Sequence, residues 1–256
     1  MNLEELESKK ALVRFDYNVP MDNGEIVNDF RIRKSLQTIK MLLDNNNKII
    51  IASHLGRPTE GEREKELSLE PICKYLSTVL NKRIKFFTNL SAVIDFEGYD
   101  VAMLENMRFN VGEKICDPKL SKTLASLADV FVFDAFGVSH RKECSTYGVA
   151  DFIDVIPGLN IKHEITTINR LINEVSRPMT IIISGSKVST KLALIRKLLN
   201  RCDNMILGGG ILNTFLKAKG YEVGKSLTDS KFLNEACLLY TSDAADERSS
   251  VDLGGR

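Results

Sequence analysis

The sequence predicts an α/β fold built on parallel β-sheet. Short apolar runs rich in branched or aromatic residues recur at 11–15, 49–52, 101–104, 130–133, 180–183 and 205–207, each bounded by polar residues or glycine. Runs of that length are too short for helices and fit buried strands. Between them, apolar residues recur at helical spacing, as in Ile32, Leu36, Ile39, Leu42 and Leu43, or Leu120, Leu124, Leu127 and Ala128. Strands and helices in alternation make βαβ units, whose parallel sheet is covered by helices on both faces in a three-layer arrangement.

The residues that follow each strand are polar and often cationic. After the first run comes Asp16-Tyr17-Asn18, after the second Ser53-His54-Leu55-Gly56-Arg57, after the third Glu105-Asn106-Met107-Arg108, and after the fourth Asp134-Ala135-Phe136-Gly137 with His140 and Arg141 beyond. Parallel strands end on one edge of the sheet, where open α/β folds bind ligands. Arg31, His54, Arg57, Arg108, His140 and Arg141 are thus expected to form a cationic pocket for a small anion bearing carboxylate and phosphate, since arginine offers a bidentate fork to both. The alternative is that each arginine is a solvated surface residue beside an acid. His163 is expected to be exposed, and Asp134 to cap the turn that follows it.

Ile161, Ile165, Ile168, Ile172 and Val175 fall on one helical stripe between Pro157-Gly158 and Pro178. A helix so bounded is expected to join two domains, with the boundary near 160–176. Beyond it, the segment 183–191 runs from a strand into a helix through Gly185 and small polar residues. A helix N-terminus favours phosphate, and Lys187 and Lys191, four residues apart, are expected on one helical face near that end. The pattern is not GxxxxGK[ST], and Gly208-Gly209-Gly210 does not open a GxGxxG fingerprint. The triple glycine is expected to open a helix at 211–217, where backbone approaches a flat ligand or simply turns tightly.

The chain carries 35 Lys+Arg against 34 Asp+Glu, a formal net charge of +1 in 256 residues. That balance argues against a dedicated nucleic-acid binder, which needs a surplus of cations on one face. With 43% hydrophobic and 27% charged residues, the chain can bury a core. At about 150 residues per domain the length suits one whole domain and part of another. Five widely spaced cysteines fit neither a disulfide framework nor a CxxC metal site. No secretory signal is visible at the N-terminus and no apolar run approaches the ~20 residues of a membrane span, so a cytoplasmic protein without a membrane partner is expected.

Taken together, VRFDYNVP at 13–20, SHLGRP at 53–58, LENMRF at 104–109, DAFGVSHR at 134–141, GSKVSTK at 185–191 and GGGILNTFL at 208–216 resemble the phosphoglycerate kinase family, in order and spacing, from about residue 3 to about 236. The resemblance implies two Rossmann-like lobes that hinge over their substrates: an N-terminal phosphoglycerate-binding lobe at 1–160, an interdomain helix at 161–177, and the first βα units of a nucleotide-binding lobe at 178–236. It implies reversible phosphoryl transfer between 1,3-bisphosphoglycerate and MgADP, giving 3-phosphoglycerate and MgATP, by a monomer of glycolysis. Asp16, Asn18, Arg31, His54, Arg57, Arg108 and Arg141 match the family's phosphoglycerate site, with His140 beside them. Lys187 and Lys191 match lysines on the nucleotide phosphates, Gly209 and Gly210 a turn near the adenine, and Arg31 and Lys187 the catalytic pair on the moving phosphoryl group. Ser184-Gly185-Ser186-Lys187 departs slightly from the family's usual Gly-Gly-Ala/Ser-Lys. No metal ligand is assigned: Mg²⁺ comes with ATP or ADP, and its ligands are expected in C-terminal sequence that has no match here.

Residues 237–256, CLLYTSDAADERSSVDLGGR, fall outside the resemblance. This stretch is expected to be an unrelated, disordered tail, poor in apolar residues from Thr241 on, worded like a translated sequencing adapter behind a truncated reading frame. The resulting fragment is expected to be inactive or impaired. A chain of another class, a non-catalytic small-anion-binding α/β module, remains the alternative.

Overall fold

The computed structural model describes residues 2–90 and 95–243. The chain divides into two compact units, Met1–Ile168 and Asn169–Arg256.

Unit one contains β1 (Lys10–Phe15), a small hairpin of β2 (Met21–Asp22) and β3 (Glu25–Ile26), α1 (Phe30–Asp44), β4 (Lys48–Ala52), α2 (Glu70–Leu80), β5 (Ile84–Phe87), β6 (Val101–Leu104), α3 (Pro118–Ala125), β7 (Val130–Asp134), β8 (Val155–Pro157) and most of α4 (Leu159–Asn173). Six strands form one parallel sheet in the order β5-β6-β4-β1-β7-β8. Successive residues of a strand face opposite sides, so β1 sends Val13 to one core and Leu12 to another. Val13, Ile49, Ile51 and Val132 pack with Ile32, Ile39 and Leu42 of α1 and Ile72 and Leu76 of α2. On the other face Leu12, Ile50, Ala102 and Phe131 pack with Leu124 of α3. The four expected strands of this unit are β1, β4, β6 and β7. Strands β5 and β8 escape the apolar-run pattern because they lie at the sheet edges, where burial is partial.

Local chemistry starts and stops these helices. Asp117 accepts from Lys119 N and Leu120 N, both at 2.9 Å, with Pro118 at the first position of α3. Asn81, left-handed at φ 49°, ends α2. Asp134 does not cap the turn after it, as the sequence suggests. Buried at the end of β7, its carboxylate accepts from Ile161 N at 3.0 Å, Asn160 Nδ2 at 2.8 Å and Thr38 Oγ1 at 2.7 Å. It caps α4 and ties it to α1, a partnership between residues far apart in sequence.

Helix α4 begins two residues earlier than its stripe predicts. Only Ile161 of the stripe is buried, while Ile165, Ile168 and Ile172 are exposed by 46%, 37% and 45%. Unit two then holds β9 (Thr180–Ser184), α5 (Leu192–Leu199), β10 (Asn204–Gly208), α6 (Gly209–Ala218) and α7 (Leu233–Asp243), with β9 and β10 paired in parallel. Its core gathers Ile183, Val188, Leu192, Ile195, Ile211 and Leu239. Helix α7 corrects the expected tail, because 237–243 are helical and Leu239 reaches the core. The rest of that tail, 244–256, lies outside the described residues. Among the described residues, no helix is long and apolar enough to cross a membrane.

Candidate anion-binding site

The C-terminal ends of β1, β4, β6 and β7 share one sheet edge, and side chains stitch their loops together. Ser53, just after β4, accepts from Tyr17 N at 2.9 Å and donates to Phe15 O at 2.8 Å. Asn106, just after β6 and fully buried, donates to Leu55 O at 2.7 Å and Leu67 O at 2.9 Å and accepts from Arg108 N at 3.1 Å. Gly137, after β7, stands where a Cβ would lie 2.8 Å from Asp16 Oδ2. Only glycine lets that carboxylate come so close.

Most of the expected site residues meet on this frame. Asp16 accepts from Arg31 Nη1 at 2.7 Å, and Asn18 Oδ1 accepts from Gly56 N at 2.9 Å. The carbonyl of Gly56 accepts from Arg108 Nη1 at 2.8 Å, so one peptide segment links Asn18 to Arg108. Arg57, Arg108 and Arg141 line an open cleft of about 510 Å³ together with Lys114, Lys142 and Glu143. His140 is exposed and is not among the residues lining that cleft, and His163 is exposed on α4. The cations are not all unpaired: Arg31 holds Asp16, and Arg108 Nη2 holds Glu143 Oε1 at 2.9 Å with Arg141 Nη1 3.8 Å away. Yet Arg108 Nε, Arg141 Nε and Glu143 Oε2 are buried without a hydrogen-bond partner. Such groups are rare and costly in a free protein, and a bound oxyanion or water could satisfy the two donors.

Four residues that the sequence did not mark organise this edge. Arg14, fully buried on β1, donates from Nε to Ser145 Oγ at 3.0 Å, from Nη1 to Phe15 O, and from Nη2 to His54 Nδ1 at 3.1 Å. Ser145 in turn donates to Glu113 Oε1 at 2.5 Å. Burial pushes the Arg14 guanidinium down, opposed by the charges of Glu113, Asp16 and Glu143. Burial, and then the fields of Arg14, Arg108, Arg141 and Arg31, push His54 down to about 2, so its ring is neutral at physiological pH. Burial pushes Glu113 up to about 7 against the pull of the Ser145 hydroxyl and Arg14. Arg14 carries a signal in hindsight, a lone charge inside the apolar run ALVRF. Glu113, Glu143 and Ser145 sit in loops with no period to mark them.

In unit two, Lys187 and Lys191 precede α5 and do not share a helical face. Lys187 lies exposed in the loop after β9, and Lys191 occupies the capping position before Leu192. The helix starts late because Val188 turns the loop inward, its carbonyl accepting from Lys191 N and Leu192 N at 2.9 and 3.0 Å. The triple glycine packs against this loop: a Cβ on Gly210 would meet Ser186 O at 2.7 Å, and one on Gly209, at φ +62°, Gly185 O at 3.0 Å. Helix α6 itself begins at Gly209, two residues before the expected start. The close approach at Gly209 and Gly210 is thus to the 185–186 backbone.

The family model for phosphoglycerate kinase matches residues 1–251. The chain belongs to the phosphoglycerate kinase family. Phosphoglycerate kinases of Francisella tularensis subsp. holarctica and Legionella pneumophila are 45% and 44% identical over 233 residues, 91% of this chain. The chain spans 59% of the length of these curated relatives. Among solved structures, the phosphoglycerate kinase of Coxiella burnetii superposes with TM-score 0.85 at 39% identity, over 97% of this chain and 64% of that one. That of Pyrococcus horikoshii gives 0.77 at 28%, over 96% and 64%. The family match to 251 also runs past 236, where the resemblance read from the sequence stops.

Proposed function

We propose that unit one binds 3-phosphoglycerate and 1,3-bisphosphoglycerate, and that a full-length chain of this family carrying these residues transfers a phosphoryl group between 1,3-bisphosphoglycerate and MgADP. The observation that carries this is the cleft lined by Arg57, Arg108 and Arg141, with His54 and Arg31 of α1 close enough for their charges to act on one another, backed by buried donors that lack partners. Phosphoryl transfer needs positioning and neutralised charge with no covalent nucleophile, and an arginine-rich cleft supplies both. Asp16 and Asn18 orient the acid end through Arg31 and the Gly56 loop. Arg57, Arg108 and Arg141 hold the phosphate. His140 has less support than these, because it is exposed and does not line the cleft beside Arg141.

Lys187 and Lys191 are proposed for the nucleotide phosphates, with Arg31 and Lys187 neutralising the moving group. Gly209 and Gly210 are proposed to shape the turn near the adenine. Mg²⁺ would screen charge on the nucleotide phosphates when bound. Among the described residues no three His, Cys, Asp or Glu gather to hold a metal, and the steps assigned here rest on cations of the chain alone.

The chain of 256 residues is expected to bind 3-phosphoglycerate without turning it over. Calorimetric titration with 3-phosphoglycerate tests the first part, with Arg141→Gln expected to weaken binding roughly tenfold. Wild-type affinity no better than that for inorganic phosphate would overturn it. A coupled ATP-dependent assay tests the second, and normal turnover would refute it.

A further inference from the structure

Behind the cleft runs a buried chain of side chains from four separate segments: Glu113, Ser145, Arg14 and His54. Its two outer links fix the direction of every hydrogen bond. Arginine has donors only, so Ser145 Oγ accepts from Arg14 Nε at 3.0 Å, and above about pH 7, where Glu113 is a carboxylate, Ser145 turns its own proton to Glu113 Oε1 at 2.5 Å. Glu113 also receives Ser145 N, at 3.2 Å to Oε2, so both its oxygens serve this one residue. At the other end, Arg14 Nη2 donates to His54 Nδ1. A neutral imidazole whose Nδ1 accepts carries its hydrogen on Nε2.

All four residues are buried: Arg14 and Glu113 have no exposed surface, Ser145 has 1% and His54 2%. The charged groups acting on His54 are Arg14, Arg108, Arg141 and Arg31, and Asp16 Oδ1 stands 3.9 Å from its Nδ1. That distance is too long for a hydrogen bond, so Arg14 and not Asp16 determines the ring.

We propose that Glu113 and Ser145 are positioning residues: through Arg14 they hold His54 as a neutral Nε2–H donor, ready for an anion oxygen. Arg14 has two ways to satisfy its guanidinium on this edge, a carbonyl and a serine anchored by a carboxylate. Removing the anchored one frees the plane of the guanidinium to rotate away from His54. The alignment of His54 is thus set by residues about 90 and 60 positions downstream of it, which never touch the ligand. Only the last readout below rests on the proposed phosphoglycerate function.

The test uses ¹⁵N-labelled chain without ligand, at pH 8, where long-range ¹H–¹⁵N spectra distinguish imidazole tautomers. The His54→Gln variant assigns its signal among the three histidines. The wild type is expected to show the Nε2–H tautomer, and an Nδ1–H tautomer would overturn the proposal without any variant. Ser145→Ala is expected to convert His54 into a mixture of tautomers while the remaining amide spectrum stays folded. Glu113→Gln, nearly isosteric, should do the same by offering Ser145 N–H a second donor. A purely Nε2–H ring in either folded variant would overturn it. Affinity for 3-phosphoglycerate should fall roughly tenfold in the same variants. Absence of wild-type binding would refute the phosphoglycerate assignment while leaving the tautomer result standing.

Discussion

The two parallel sheets of this molecule begin from similar sequence and end in different surroundings. In unit one, strand β1 reads KALVRF and every residue after Lys10 is buried, because α1 and α2 cover one face and α3 the other. In unit two, β9 reads TIIIS and β10 NMILG, no less apolar, yet Ile182 and Ile206, paired in register, are exposed by 71% and 47%. Only the opposite face, carrying Ile183, meets a core. An apolar run announces a strand; what covers it depends on the rest of the chain. The candidate sites differ in the same way. Arg108 of unit one is locked by the buried Glu143, whereas Lys187 of unit two lies exposed on its loop.

This contrast can be broken by substitution. Phe131→Ala, at a position 1% exposed in the covered sheet, is expected to cost about 4 kcal/mol. Ile206→Ala on the open face should cost well under about 1 kcal/mol. Chemical denaturation followed by circular dichroism measures both, and equal losses would show that the open face is covered in solution.

Ion pairs sharpen it next. Arg108–Glu143, with both side chains under 10% exposed, should lose about 3 kcal/mol in Glu143→Gln because Arg108 is left buried with less compensation. Arg177–Asp203 in unit two, 55% and 33% exposed, should lose less than about 1 kcal/mol in Arg177→Ala.

A pH dependence confined to unit one follows from Glu113. The carboxyl of Glu113 rises from an ordinary 4.5 to about 7 on folding, so between those values the folded chain keeps a proton that the unfolded chain has lost. Its contribution is therefore full below pH 4.5 and is lost as pH rises through about 7. At about 1.4 kcal/mol per unit, wild type should lose roughly 3 kcal/mol relative to Glu113→Gln between pH 4.5 and pH 8. Parallel stability curves for the two proteins would show that Glu113 titrates normally.

Much of this was legible in order of residues alone. Six strands, the alternation with helices and the cationic residues after each strand follow from local patterns, since period and turn chemistry act over a few neighbours. His54, Arg57, Arg108 and Arg141 could be gathered on one edge because parallel strands point the same way, whereas Arg31 reaches it from the start of α1. The sequence could not say which partners these residues meet: Glu143 is 35 residues from Arg108, and Ser145, which links Arg14 to Glu113, is 131 from Arg14. Nor could it show that Asp134 caps α4, that α5 starts after Lys191 rather than before Lys187, or that 237–243 form a helix. The cap on α4 and the helix at 237–243 are settled by partners distant in sequence, and the start of α5 by a loop whose Val188 side chain is drawn into the core. A repeating pattern reports which face of an element is apolar, and only the folded chain decides what that face, or a buried charge within it, is brought to meet.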